Sequence, residues 1–153
     1  MTTTEINRAG ISQQRLLVAV AIVAFVLNYL WEMLQMPFFA NMGFANIRAW
    51  GFCFLATIGD MIIILFILAL GKWLFGHWCW PEKLNVSKIM YLLFAGLSIG
   101  IITESVGIGF NWWEYNHRML LLPYFETGLA PLVQMLLLPL LSFKITLHRI
   151  CIK

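Results

Sequence analysis

Glu32, Asp60 and Glu104 lie inside stretches that otherwise read as lipid-embedded helices, and no other feature limits the fold of this chain as much. A carboxylate near the centre of a bilayer costs about 2.5 to 3.5 kcal/mol even on lenient insertion scales, so these acids require a polar interior shielded from lipid. Several helices must therefore stand side by side with the acids turned inward.

Composition gives the same class. Hydrophobic residues make up 61% of the 153 residues and charged ones 11%, with a mean hydropathy of +0.85. Soluble domains carry about a quarter charged residues, so the expected fold is an all-α integral membrane protein, a four-transmembrane-helix bundle forming a single membrane domain over 1–153. The apolar stretches 16–39, 49–70, 89–108 and 127–147 are each long enough to cross a bilayer as a helix, and 109–126 forms a loop. Arg8 and Arg15 precede the first stretch, and Ala19-Val20-Ala21 resembles a signal cleavage site. Too few apolar residues come before it for a signal peptide, so an uncleaved anchor is expected.

The basic residues set the expected orientation. With both termini inside, Arg8, Arg15, Lys72, Lys83, Lys88, Lys144, Arg149 and Lys153 are cytoplasmic, and only Arg48 and Arg118 are outside. Such a bias predicts an N-in/C-in topology, with the bacterial inner (plasma) membrane as the location. The net charge of +3 then reflects topology and anionic headgroups. Nucleic-acid binding is a poor reading, because no aromatic platform interleaves with the basic residues. Cys53, Cys79 and Cys151 form no CxxC pair, and no structural disulfide is expected.

Polar groups recur at helical spacing. Asn28, Glu32 and Gln35 share one face of the first helix, with Trp31 at its border. The third helix carries Gly96, Gly100, Glu104 and Gly107 on one face, which suits close helix contact. Asp60 follows Gly59 near the middle of the second helix, where reaching either surface is hardest. Gln134 stands between Pro131 and Pro139, each a candidate kink. The loop Trp112-Trp113-Glu114-Tyr115-Asn116-His117-Arg118 adds aromatic, acidic and basic groups over the half that holds Glu32 and Glu104. Asn28-Tyr29-Leu30-Trp31-Glu32 is echoed by Asn111-Trp112-Trp113-Glu114-Tyr115, as a two-helix duplication would produce.

No P-loop, dinucleotide fingerprint, HExxH or nucleophile elbow is present, and no cofactor is expected. Glu32, Glu104, Glu114 and His117 could approach one another, but ligand spacing specific to a metal is missing, so no metal site is assigned. The favoured reading is an outward-facing acidic and aromatic pocket for a hydrophobic or amphipathic molecule. Glu32, Glu104 and Asp60 are the candidate acid–base groups for modifying a lipid or isoprenoid. Asn28, Trp31, Gln35, Trp112, Trp113, Glu114, Tyr115, His117 and Gln134 are the candidate ligand-binding residues. Membrane lipids, a hydrophobic small molecule and a second copy of the chain are the expected partners. The alternatives are a proton- or cation-coupled small transporter or channel subunit, and a non-catalytic assembly protein whose acids only lock helix packing.

Overall fold

A computed structural model describes residues 3–150, with side chains described from 13 to 148. Cys151 and Lys153 lie outside the described residues, and the side chains of Arg8 and Arg149 outside the described side chains. Four helices, α1 (Thr3–Gln35), α2 (Ile47–Phe75), α3 (Val86–Gly109) and α4 (Leu129–Ile150), account for most of the chain, and each is long and apolar enough to cross a membrane. One end of the bundle, called here the terminal end, carries the start of α1, the α2–α3 link and the end of α4. The other, the loop end, carries the α1–α2 link and the segment 110–128.

The helix limits follow from local chemistry. The first helix begins well before Leu16, because residues 3–15 are polar yet free of proline; hydropathy registers only the apolar part. Pro37 then ends α1 in a 310 turn, Met36–Phe38. Asn46 caps α2 by accepting the Arg48 backbone N–H at 3.0 Å, and Gly76, with φ of 85°, closes its other end in the left-handed conformation. Asn85 caps α3 in the same way through Lys88 N–H. Pro131 falls in the first turn of α4, where no helical hydrogen bond is lost, so the kink expected there is corrected; only Pro139 is inside the helix.

Along α1, Leu16, Val20, Ala24, Asn28 and Glu32 are buried at steps of four, while Val18, Ile22, Val26, Leu30 and Leu34 are exposed at the same steps. The outward face of this helix is thus uniformly apolar, and its buried face becomes polar toward the loop end. Packing is extensive between α1 and α2, α1 and α4, and α3 and α4, whereas α2 and α3 scarcely touch. The close approach of α3 to α4 depends on Gly96, where an added Cβ would lie 2.4 Å from the Met135 carbonyl oxygen.

The terminal end is filled. Trp80, fully buried in a second 310 turn (Trp80–Glu82), donates its indole N–H to the Leu68 carbonyl at 3.0 Å and packs on Phe75, Tyr91 and Phe143.

At the loop end a two-residue hairpin, β1 (Leu121–Leu122) with β2 (Thr127–Gly128), precedes α4. The echo between Asn28–Glu32 and Asn111–Tyr115 has no structural counterpart. The first is helical, whereas the second turns back at Asn111, φ 54°, and forms an isolated bridge from Tyr115 to Phe39.

Candidate functional site

Three helices meet at the side chain of Gln134. Its amide N–H group reaches Asn28 Oδ1 at 2.9 Å and Glu32 Oε1 at 3.3 Å on α1, and Asp60 Oδ2 at 2.7 Å on α2. Gln35 donates to both Glu32 Oε1, at 2.8 Å, and Gln134 Oε1, at 3.0 Å, and in turn accepts the Trp31 indole N–H at 3.2 Å. An amide nitrogen has two hydrogens, so the three acceptors around Gln134 compete for them. Among the described residues no lysine, arginine or histidine forms an ion pair with these acids.

Glu104 belongs to a second set of bonds that fastens the loop. The end of α3 closes in a Schellman arrangement: Asn111 N–H bonds Ile108 O and Trp112 N–H bonds Gly107 O, each at 2.9 Å. This reversal lays Trp113 on Gly107, where an added Cβ would fall 1.9 Å from the indole ring, and brings its N–H to Glu104 Oε2 at 3.2 Å. The Tyr115 hydroxyl donates to the same oxygen and accepts the Gly128 N–H at 2.9 Å. Burial, followed by the charge of the adjoining Glu104, pushes the Tyr115 phenol above its ordinary value and keeps it a donor. The loop is further joined to the end of α1 by Ala40 N–H to Glu114 O, at 2.8 Å, and by the Asn116 amide to Pro37 O, at 2.7 Å.

Both networks line one cavity of about 420 Å³ between α2 and α3. Glu32, Gln35, Asp60, Glu104 and Gln134 supply its polar groups, together with the Thr103 hydroxyl. Trp112, Trp113, Phe39 and Phe52 cap it at the loop end, with Phe52 and Trp113 in an edge-on ring contact at 6.0 Å. Met36, Met42 and Met135 add flexible apolar surface. A space of this size, mostly apolar with a few convergent polar groups, suits a small organic molecule.

Of the residues singled out in the sequence, Glu32, Asp60, Glu104, Gln35, Gln134, Trp112 and Trp113 line this space. Asn28 and Tyr115 are one hydrogen bond away from it. Trp31 faces a smaller cavity of about 250 Å³ on the other side of α1, beside Phe38 and Arg118. Glu114 and His117 are exposed and line neither cavity, whereas the Asn111 reversal turns their neighbours Trp113 and Tyr115 inward. Sequence reasoning missed Phe39, Phe52 and the methionines, because an apolar residue on a packed face and one on a cavity wall have the same pattern.

Among the described residues no group of three or more His, Cys, Asp or Glu side chains is placed to hold a metal ion. Comparison with protein-family models, with curated proteins and with solved structures found no match to this chain.

Proposed function

We propose that the chain is an integral membrane protein, N-in/C-in, whose cavity between α2 and α3 binds a hydrophobic or amphipathic molecule. The observation that carries this reading is the cavity itself, in which three carboxylates and two tryptophans surround empty apolar space. A packing device would be expected to fill that volume, since interiors close-pack and each void forfeits contacts. Membrane insertion is supported by the exposed apolar stripe of α1 and by similar exposed residues on the other helices, including Phe66, Phe94 and Ile145. Glu32 and Glu104 are the candidates for proton donor and acceptor if the ligand is modified. The test is mass spectrometry of an organic extract of the purified protein: a stoichiometric amphiphile is expected, and an extract holding only bulk lipid and detergent would contradict the reading.

The orientation rests on the basic residues, with Lys72, Lys83, Lys88 and Lys144 at the terminal end and Arg48 and Arg118 at the loop end. Single cysteines introduced near residues 83 and 117 test it: the reading expects an impermeant external reagent to label only the second, and labelling of the first alone would invert the orientation.

One observation favours a proton or cation path as a second reading. The Ser142 and Thr146 hydroxyls are buried without a hydrogen-bond partner, on α4 beyond Gln134 toward the terminal end. Groups so placed are commonly satisfied by water. Proteoliposome proton flux that falls in a Ser142→Ala, Thr146→Val variant would establish this path; flux at the level of empty liposomes would dismiss it.

A further inference from the structure

Two features of the cavity are not explained by a generic apolar ligand: where it opens, and the charge it asks for. It is covered at the loop end by Trp112, Trp113 and Phe52, and the terminal end is sealed by Trp80 and its aromatic neighbours. The side between α2 and α3 lacks such a cover. Leu55 on α2 is 68% exposed and Ile102 on α3 is 61% exposed, yet both line the cavity, as does the exposed Gly59, one turn along α2 from Leu55. An added Cβ at Gly59 would meet nothing within 4 Å. The mouth is therefore lateral, facing the surroundings of the helices rather than their ends, and Gly59 is its narrowest side chain, one residue from Asp60.

Three acids line this space, and none of the side chains lining it is a lysine, arginine or histidine. The donors that reach the acids are amides, an indole and a phenol, all neutral. Positive charge is what the site lacks, and the rings of Phe39, Phe52, Trp112 and Trp113 supply faces that attract a cation. A volume of about 420 Å³ accommodates one alkyl chain rather than a two-tailed lipid.

We propose that the cavity takes a single-chain lipophilic amine, entering sideways between α2 and α3 past Gly59, with its ammonium among Glu32, Asp60 and Glu104 and its chain in the apolar mouth. This rests on the ligand-pocket reading above and names its substrate class and route. An ammonium provides three N–H donors for oxygens that now compete for the Gln134 amide, and its chain stays in apolar surroundings throughout entry.

The experiment measures equilibrium binding of dodecylamine, dodecanol, dodecanoate and lysophosphatidylethanolamine to the full chain in a non-ionic maltoside detergent, by tryptophan fluorescence. Dodecylamine is expected to bind at least tenfold more tightly than dodecanol, with dodecanoate and the phosphate-bearing lysolipid weaker still. Glu32→Gln, Asp60→Asn is expected to remove the preference for amine over alcohol while leaving alcohol binding in place. Gly59→Leu is expected to abolish binding of both, whereas Gly51→Leu, on the same helix but outside the cavity, leaves it unchanged. Thermal unfolding of each variant, with Gly59→Ala alongside, separates a blocked mouth from a misfolded chain.

Alcohol binding as tight as amine binding overturns the cation assignment and leaves the pocket reading standing. Equal binding of the lysolipid and the amine overturns the requirement for net positive charge. Unchanged binding in a folded Gly59→Leu variant overturns the lateral route. Absence of binding by all four probes, together with a dimer that Gly59→Leu dissociates, overturns both readings and assigns the mouth to a second copy of the chain.

Discussion

The two halves of the bundle solve opposite problems with the same four helices. At the terminal end, Trp80 fills the space beside α2 so closely that an added Cβ at Gly71 would lie 2.3 Å from its ring, and every ring nearby packs on another. Lys88 adds bonds to the Trp80 and Lys83 carbonyls, at 2.7 and 2.8 Å, and holds the α2–α3 link in place. At the loop end the corresponding space between α2 and α3 is empty and ringed by acids. The filled half can carry stability without chemistry. The hollow half gives up packing to retain polar groups, the usual relation between a scaffold and a site.

Substitutions in the two halves should therefore differ in kind. The largest expected effect is in the filled half: Trp80→Ala empties the centre of the aromatic cluster and should lower stability by about 3–5 kcal/mol. Ligand retention measured well below the lowered unfolding temperature should be unaffected. A loss of ligand with little loss of stability would erase the distinction between the halves.

Gln134→Leu comes next. It deprives Asn28, Glu32 and Asp60 of a common donor and Gln35 of an acceptor, and each buried polar group left unpaired costs about 1–3 kcal/mol. Both stability and ligand retention should fall, since the same bonds hold α1, α2 and α4 and shape the cavity wall. Calorimetry with a parallel extract of retained ligand checks this; a loss of stability alone would make Gln134 a packing residue.

The smallest effect is expected for Tyr115→Phe, which removes the hydroxyl's bond to Glu104 and its acceptance of the Gly128 N–H and should lower stability by about 1–2 kcal/mol. Its pH dependence has a definite sign. The phenol is raised in the folded chain, so the unfolded chain ionises first; the wild-type advantage over Tyr115→Phe is complete below a pH of about 10 and declines as pH rises toward the folded value. Chemical unfolding at neutral and alkaline pH measures this difference directly, and a gap that widens with pH would refute the assignment of Tyr115 as a neutral donor.

The hollow half was the more legible in the sequence. An acid in an apolar helix is conspicuous, and the steps from Asn28 to Gln35 and from Gly96 to Gly107 fix which faces turn inward. Periodicity thus gave the helices and brought Glu32, Asp60, Glu104 and Gln134 toward one interior. It could not place the loop residues, because the direction of Trp113 and Tyr115 against Glu114 and His117 is decided by the reversal at Asn111. Nor did it single out Trp80. A tryptophan beside proline in a short link reads as an interfacial anchor, and it is Gly71, on the helix before that link, that makes room for its burial.

The central claim is that the acids of the hollow half hold a ligand rather than the fold. Glu32→Gln combined with Glu104→Gln tests it most directly, because an amide keeps the shape and acceptor oxygen of each side chain but cannot carry its charge or exchange its proton. The measurement is native mass spectrometry of the purified double variant beside the wild type, with the thermal unfolding midpoint of each. The account expects a folded protein of near-normal midpoint that has lost the bound amphiphile. A double variant that retains the ligand at the wild-type level with an unchanged midpoint would contradict it.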